Sequence, residues 1–161
     1  MDNLYRQNAA IVAFNKDKKV LVFERIKGDK DTLWQFPQGG IEEGETATEA
    51  ALRELFEETG IKSAKVIKTL DYGIKYDFPE DTLARFKAMG RDIVGQEQFW
   101  TLVYFYGDES EINLQNSEKM ELKSYQWVGL DQPPKIAWGP KQAAYTIVMK
   151  EFTPLILGYE I

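Results

Sequence analysis

The 161-residue chain has no cysteine and no histidine. Without cysteine there is no disulfide framework, no thiolate nucleophile, and no zinc ribbon or finger. Without histidine there is no Ser-His-Asp or Cys-His catalysis, no imidazole-bound zinc, and no imidazole base near neutral pH. Acid–base or metal chemistry therefore falls to carboxylates, with Lys, Tyr or Arg in support. Such oxygen ligands favour hard cations such as Mg²⁺, Mn²⁺ or Ca²⁺. Nothing approaches the ~18 consecutive apolar residues of a membrane span. The first residues, Met1 to Arg6, lack the basic-then-apolar pattern of a secretory signal. Cytoplasmic residence without a membrane partner is the expectation. Internal repeats, low-complexity tracts and Pro/Gly/Ser linkers are missing too, so residues 1–161 read as a single domain, long enough to bury one core.

What is present argues for a folded, locally charged protein. Hydrophobic residues make up 43% and aromatics 13%, too apolar for a disordered chain. Acidic side chains number 26 against 20 basic, a net charge of −6. That sign opposes a broad nucleic-acid groove, which needs a Lys/Arg-rich face, yet permits the grasp of one short, highly phosphorylated end. The acidity is also concentrated. Residues 41–60 carry seven glutamates (Glu42, Glu43, Glu45, Glu49, Glu54, Glu57, Glu58) and one arginine, and the rest of the chain is balanced.

β-Branched and aromatic runs at 8–15 and 20–26 flank Lys16-Asp17-Lys18-Lys19, the pattern of a hairpin. Further strand-like runs occupy 64–70, 73–78, 99–106 and 125–128. Residues 46–59 read as a helix, with Thr46 and Glu49 forming a capping box and Gly60 at the left-handed stop. Residues 79–89 fit either a short helix or an excursion between strands. Residues 141–157 read as a closing helix, interrupted at Pro154. Strands on both sides of one strong helix, with another at the end, predict a mixed α/β sandwich.

The helix at 46–59 carries the chemistry. At ~100° per residue, with Glu54 at zero, Glu57 falls near −60° and Glu58 near +40°. Ala51, Leu52, Leu55 and Phe56 form the adjacent apolar stripe. Carboxylates at i, i+3 and i+4 repel one another by a few tenths of a kcal/mol per exposed pair, a cost that a divalent cation among them would remove. Read alone, three glutamates also fit a solvated acidic face. Gly39 and Gly40 before the helix offer backbone N–H groups to a phosphate near a helix N-terminus.

Spacing decides between these readings. Gly39, Glu45 and Arg53-Glu54-Leu55-Phe56-Glu57-Glu58-Thr59-Gly60-Ile61 stand at the intervals G-x5-E-x7-R-E-U-x-E-E-x-G-U, U being a bulky aliphatic residue. The sequence thus resembles the Nudix hydrolases, which cleave pyrophosphate linkages in nucleoside diphosphate derivatives. The resemblance implies a Nudix-type α/β/α sandwich with a mixed β-sheet. It implies Mg²⁺, with Mn²⁺ possible, held by Glu54, Glu57 and Glu58 with help from Gly39 and Glu121. It also implies an Arg53 that orients the carboxylates and a Glu45 that braces the loop or assists a metal.

Segments outside the box narrow the resemblance. Tyr5-Arg6-Gln7-Asn8, Trp34-Gln35-Phe36-Pro37-Gln38-Gly39-Gly40, Gly95-Gln96, Glu111 to Gln115, Trp127-Val128 and Val148 to Phe152 are similar to bacterial RNA pyrophosphohydrolases and to dinucleoside polyphosphate hydrolases. The substrate implied is a 5′-triphosphorylated RNA end or, alternatively, a nucleoside polyphosphate such as diadenosine tetraphosphate. A non-catalytic nucleotide-binding module is a remote third reading, since every box glutamate and the arginine are kept. By the same resemblance Arg6 and Arg25 face the polyphosphate and first nucleotide, Gln38 and Gly40 contact substrate, and Glu57, Glu58 or Glu121 handle the proton. One departure stands out. The relatives place an aromatic residue before the lysine that opens the last helix, whereas this chain keeps Lys141 but has Pro140 before it. Trp138 is the candidate substitute. Nothing in the sequence specifies an oligomeric state.

Overall fold

Strand β1 (Tyr5–Phe14) is apolar at every position from Ala9 to Phe14, as a strand covered on both faces must be. In the computed structural model, which describes residues 4–25, 34–116 and 122–161, β1 lies at the centre of an eight-stranded mixed sheet. Strand β7 (Gly95–Phe105) runs parallel to it over its full length, from Tyr5 opposite Gly95 to Phe14 opposite Tyr104. The other pairings are antiparallel. β5 (Ala64–Thr69) and β6 (Ile74–Asp77) flank β7, while β8 (Leu122–Val128) flanks β2 (Val20–Arg25).

The expected 8–15/20–26 hairpin is only partly a hairpin. β1 and β2 meet at Phe14 opposite Val20 and then separate. The strip that follows fills the opening, with β3 (Trp34–Gln35) on β2 and β4 (Gln38–Gly40) on β1. The turn itself is tight. Asn15 Oδ1 accepts the N–H groups of Asp17 and Lys19, and Lys18 adopts φ 58°.

Alternation along the strands sorts the core into two layers. Ala9, Ile11, Ala13, Leu21, Phe23, Val103 and Phe105 meet Ala50, Ala51 and Leu55 of helix α1 (Ala47–Thr59). Ala10, Val12, Phe14, Val20, Val22, Trp100 and Leu102 meet Ala144, Tyr145, Val148, Met149, Phe152 and Ile156 of the last helix, α4 (Gly139–Leu157). Each large side chain so buried contributes ~1.5–3 kcal/mol. The result is the expected α/β/α sandwich.

Helix α1 begins and ends where its local chemistry dictates. Thr46 and Glu49 form a complete capping box, and Gly60 stops the helix at φ 80°. Phe56 departs from the apolar stripe: it is exposed, with the Lys62 ammonium 5.4 Å from its ring centre. Residues 79–89 contain helix α2 (Glu80–Ala88), pinned by Phe86 stacked on Phe78 at 5.2 Å. After the short α3 (Pro133–Ile136), α4 starts two residues before the expected 141, with Pro140 in its first turn, where no N–H is required. The interruption expected at Pro154 does not occur. This proline lies in the final turn, so the helix continues to Leu157. Lys18 Nζ then donates to the carbonyls of Leu157 and Tyr159, both at 2.8 Å. Among the described residues no helix is long and apolar enough to cross a membrane.

Candidate active site

The three box glutamates divide between two environments. Glu54 and Glu58, one turn apart on α1, are 2% and 3% exposed, while Glu57 reaches solvent. Ala51 and Leu55 press α1 onto the odd-numbered residues of β1, and this contact draws the flanking Glu54 and Glu58 inward. Burial of carboxylates is costly unless positive charge or donors meet them.

Arg53 is the hub that meets several of them. Its Nε donates to Glu45 Oε2 at 2.6 Å and its Nη2 to Glu45 Oε1 at 2.9 Å, a bidentate pair. Nη1 donates to Glu54 Oε1 at 2.9 Å and to Glu57 Oε2 at 3.3 Å. Nη2 also reaches the Gly40 carbonyl at 2.8 Å, and Glu42 lies 3.9 Å from Nη1. The Arg53 hydrogen bond, helped by the backbone of residue 42, holds the Glu45 carboxyl at about 2, below the ordinary carboxylate range. The same pairing raises the guanidinium. Glu45 Oε1 also accepts the Glu42 N–H at 2.9 Å, so this residue braces the loop.

Gly39 and Gly40 do not lie at a helix N-terminus, as the sequence had suggested. They are strand residues, Gly39 opposite Ala9 and Gly40 opposite Asn8, and the loop 41–46 separates them from α1. The capping box already serves that helix end. Gly39 is needed for a different reason: a Cβ there would overlap the Glu54 carboxylate. The glycine is the floor on which the carboxylate rests.

The opposite, α4-side face of the same strands holds the remaining candidates. Gln38 pairs with Ala10 and therefore projects to that side, as do Asn8 and its β7 neighbours Gln96 and Gln98. Asn8 Nδ2 donates to Gln38 Oε1 at 2.8 Å and also to Gln96 Oε1, and Gln98 Nε2 donates to Gln38 Oε1 at 2.7 Å. Arg6, opposite Gln96 in the register, is exposed on this face. Trp138, at the N-cap of α4, meets Tyr76 edge to face at 6.5 Å. Lys141 is 4% exposed, with its ammonium 5.9 Å from the Tyr76 ring centre. The Tyr145 hydroxyl of α4 accepts the Phe36 N–H at 3.1 Å, fixing the strip that carries Gln38.

Arg25 ends β2, but its side chain, like the whole of Glu121, lies outside the described residues. The sequence reading passed over Asn8, Gln98 and Tyr76. Its available signal was polar residues at alternate positions, 96 and 98, leading into the apolar Trp100 and Leu102 of one strand.

Carboxylates 42, 45, 54, 57 and 58 share this region with one guanidinium, a negative surplus built from oxygen donors alone. That chemistry fits a hard divalent cation. Among the described residues, no three acidic groups are already gathered closely enough to hold one. Glu57, the exposed member, meets the Arg53 guanidinium at 3.3 Å.

A NUDIX domain profile matches residues 4–148, and the chain belongs to the Nudix family of hydrolases. It is 39% identical over 157 residues to the RNA pyrophosphohydrolase of Erythrobacter litoralis, covering 96% of this chain and 94% of that protein. Identity to the RNA pyrophosphohydrolase of Bartonella bacilliformis is 37% over 161 residues, with 94% of each chain covered. The solved structure of the E. coli dihydroneopterin triphosphate pyrophosphohydrolase shares the fold at a TM-score of 0.68 and 23% identity, covering 92% of this chain and 99% of that one.

Proposed function

We propose that this hydrolase removes pyrophosphate from 5′-triphosphorylated RNA and leaves a 5′-monophosphate end. The observation that carries the reading is the Arg53 hub. One guanidinium fixes the Glu54 carboxylate, the Glu45 brace and the Gly40 carbonyl in one arrangement. Similarity over nearly the whole chain to proteins named RNA pyrophosphohydrolase supports RNA as the substrate.

Glu54 and Glu58 would hold Mg²⁺, or Mn²⁺ in its place, with Glu57 turning from Arg53 to join them and Gly39 and Glu121 as further ligands. When bound, the cation acidifies a water and neutralises phosphate charge. The chain's own groups do the rest. Hydrolysis adds a water oxygen to phosphorus and breaks a bridging P–O bond, and pyrophosphate leaves. The proton goes to a carboxylate, Glu57 or Glu121. Arg6, Arg25 and Lys141 offer cationic groups to the polyphosphate and first nucleotide, and Arg6 suits both because a guanidinium forks to phosphate and stacks on bases. Gln38, Gly40 and Trp138 line the nucleotide side.

The test presents 5′-triphosphate RNA and diadenosine tetraphosphate separately to the protein with Mg²⁺ and compares kcat/KM. A higher value for RNA is expected. A higher value for diadenosine tetraphosphate reassigns the enzyme to dinucleoside polyphosphates, and no turnover of either leaves a binding module.

A further inference from the structure

The segment Glu111 to Gln115 takes no part in the hydrolysis described above, yet it runs past the far end of helix α1. Glu111 Oε1 accepts the N–H groups of Lys62 at 2.6 Å and Ser63 at 2.7 Å. Two residues on, the Asn113 N–H donates to the carbonyl of Thr59, the last residue of α1, at 2.7 Å. Every donor here is a backbone N–H, so chemistry alone fixes the direction of each bond.

Two glycines are shaped around residue 111. A Cβ at Gly107 would stand 2.1 Å from Glu111 Oε2, and one at Gly60 would stand 3.1 Å from the Glu111 carbonyl oxygen. Burial would raise the Glu111 carboxyl, yet the Lys62 and Ser63 N–H groups and the Ser63 side chain hold it below its ordinary value. It stays ionised near neutral pH, and an ionised oxygen is the stronger acceptor. The segment is itself anchored. Glu109 accepts the indole N–H of Trp127 on β8, while Ile112 and Leu114 pack against the α1-side core.

The first half of α1 is held by other means. The capping box fixes its first turn, and Arg53 ties Glu45, Glu54 and Glu57. Glu58 immediately precedes Thr59, in the turn that the 111–113 segment grips. A carboxylate ~5 Å from the helix axis moves about 2 Å when its turn rotates by about 20°. Mg²⁺ tolerates little such play, because it demands near-ideal octahedral geometry at about 2.1 Å.

Resting on the metal-dependent hydrolase reading above, we infer that Glu111 is a positioning residue for Glu58. By gripping the Lys62 and Ser63 N–H groups it sets the rotation of the last turn of α1, and so the placement of the Glu58 carboxylate for a divalent cation. Glu111 spends its own carboxylate on backbone and meets neither cation nor substrate.

Mn²⁺ binding to the substrate-free chain, followed by the electron paramagnetic resonance of the free ion, reads this placement without turnover. Glu111→Ala removes the grip, and Gly107→Ala pushes the carboxylate aside with the glutamate still present. Glu111→Gln keeps an oxygen that accepts both N–H groups. Ile156→Ala is the stability control, since it opens a cavity in the core on the opposite face of the sheet.

Glu111→Ala and Gly107→Ala are expected to raise the Mn²⁺ Kd at least fivefold, Glu111→Gln less than twofold, and Ile156→Ala not at all. Added to Glu58→Gln, Glu111→Ala is expected to change the remaining Kd less than twofold, and multiplied effects overturn the action through Glu58. A lowered melting temperature with unchanged Mn²⁺ affinity in both Glu111→Ala and Gly107→Ala makes residue 111 a structural brace and overturns the inference. An equal loss of affinity in Ile156→Ala also overturns it, by tracing the effect to stability. Should Glu111→Ala not fold, Gly107→Ala and the shorter Glu111→Asp carry the comparison. A chain that binds Mn²⁺ but hydrolyses neither polyphosphate fails the functional reading alone, and the Kd comparison still decides the inference. A chain that binds no Mn²⁺ fails both.

Discussion

Gly39 and Glu54 occupy adjoining space so closely that a single methyl group at residue 39 would lie within the Glu54 carboxylate. The strand residue has no side chain because the helix residue has already filled the volume. Arg53 closes the arrangement from the other side, through Glu54 Oε1 and the Gly40 carbonyl.

Gly39→Ala must displace that carboxylate. It is expected to lower kcat at least tenfold and, as an overpacked site, to reduce stability by ~1–3 kcal/mol. Gly40→Ala is the fold control, because no atom lies within 4 Å of the carbon it would add. Chemical denaturation of both variants should show loss of stability at residue 39 only.

Arg53→Lys keeps the charge but loses the fork. A lysine ammonium is a point donor and does not span both oxygens of Glu45 while also reaching Glu54 and the Gly40 carbonyl. A fall in kcat/KM of about 100-fold is expected, equivalent to ~2.7 kcal/mol of barrier. Steady-state kinetics showing less than a fivefold loss would remove Arg53 from its organising role.

Glu58→Gln preserves shape and removes one buried carboxylate charge. Turnover should fall at least 100-fold with the fold intact. The rise in melting temperature on adding Mg²⁺ should shrink as well, since ligand stabilisation follows [L]/Kd. A variant that keeps more than a tenth of the original rate contradicts the metal-holding role.

The Glu45 carboxyl, held at about 2, gives a pH signature. Its folded-state value is depressed below the ordinary 4.5, so its contribution to stability is present above that ordinary value. The contribution is lost as pH falls from about 4.5 toward about 2. Unfolding of the unaltered chain and of Glu45→Gln, followed across pH 2–7, should show the two stability curves converging at the acidic end. Parallel curves throughout would show that the Arg53 pairing does not set this carboxyl.

Local chemistry made some elements readable from the sequence. Helix α1 was legible to within a residue because Thr46, Glu49 and Gly60 encode its ends within a few positions of one another. Strand β1 begins at Tyr5 rather than residue 8, because the parallel partner that extends it lies some 90 residues away. Strands β3 and β4, two and three residues long, are too short to show any alternation. The acidic face was readable for the same reason as α1, since its carboxylates are three and four residues apart. The amide cluster was not, because Asn8, Gln38 and Gln98 come together only when β1, β4 and β7 are in register. Lys141, expected from the resemblance to contact substrate, is buried with its ammonium 5.9 Å from the Tyr76 ring centre, a placement set by β6 and α4 together.

Strand β4 is three residues long, yet Gln38 and Gly39 serve opposite faces of it. On the proposed function, the pleat therefore separates the carboxylates from side chains offered to the nucleotide. Substitutions at Gln38 or Trp138 would then alter the nucleotide side without disturbing the carboxylate seated on Gly39. A scaffold divided in this way can change its clientele while its cutting edge stays the same.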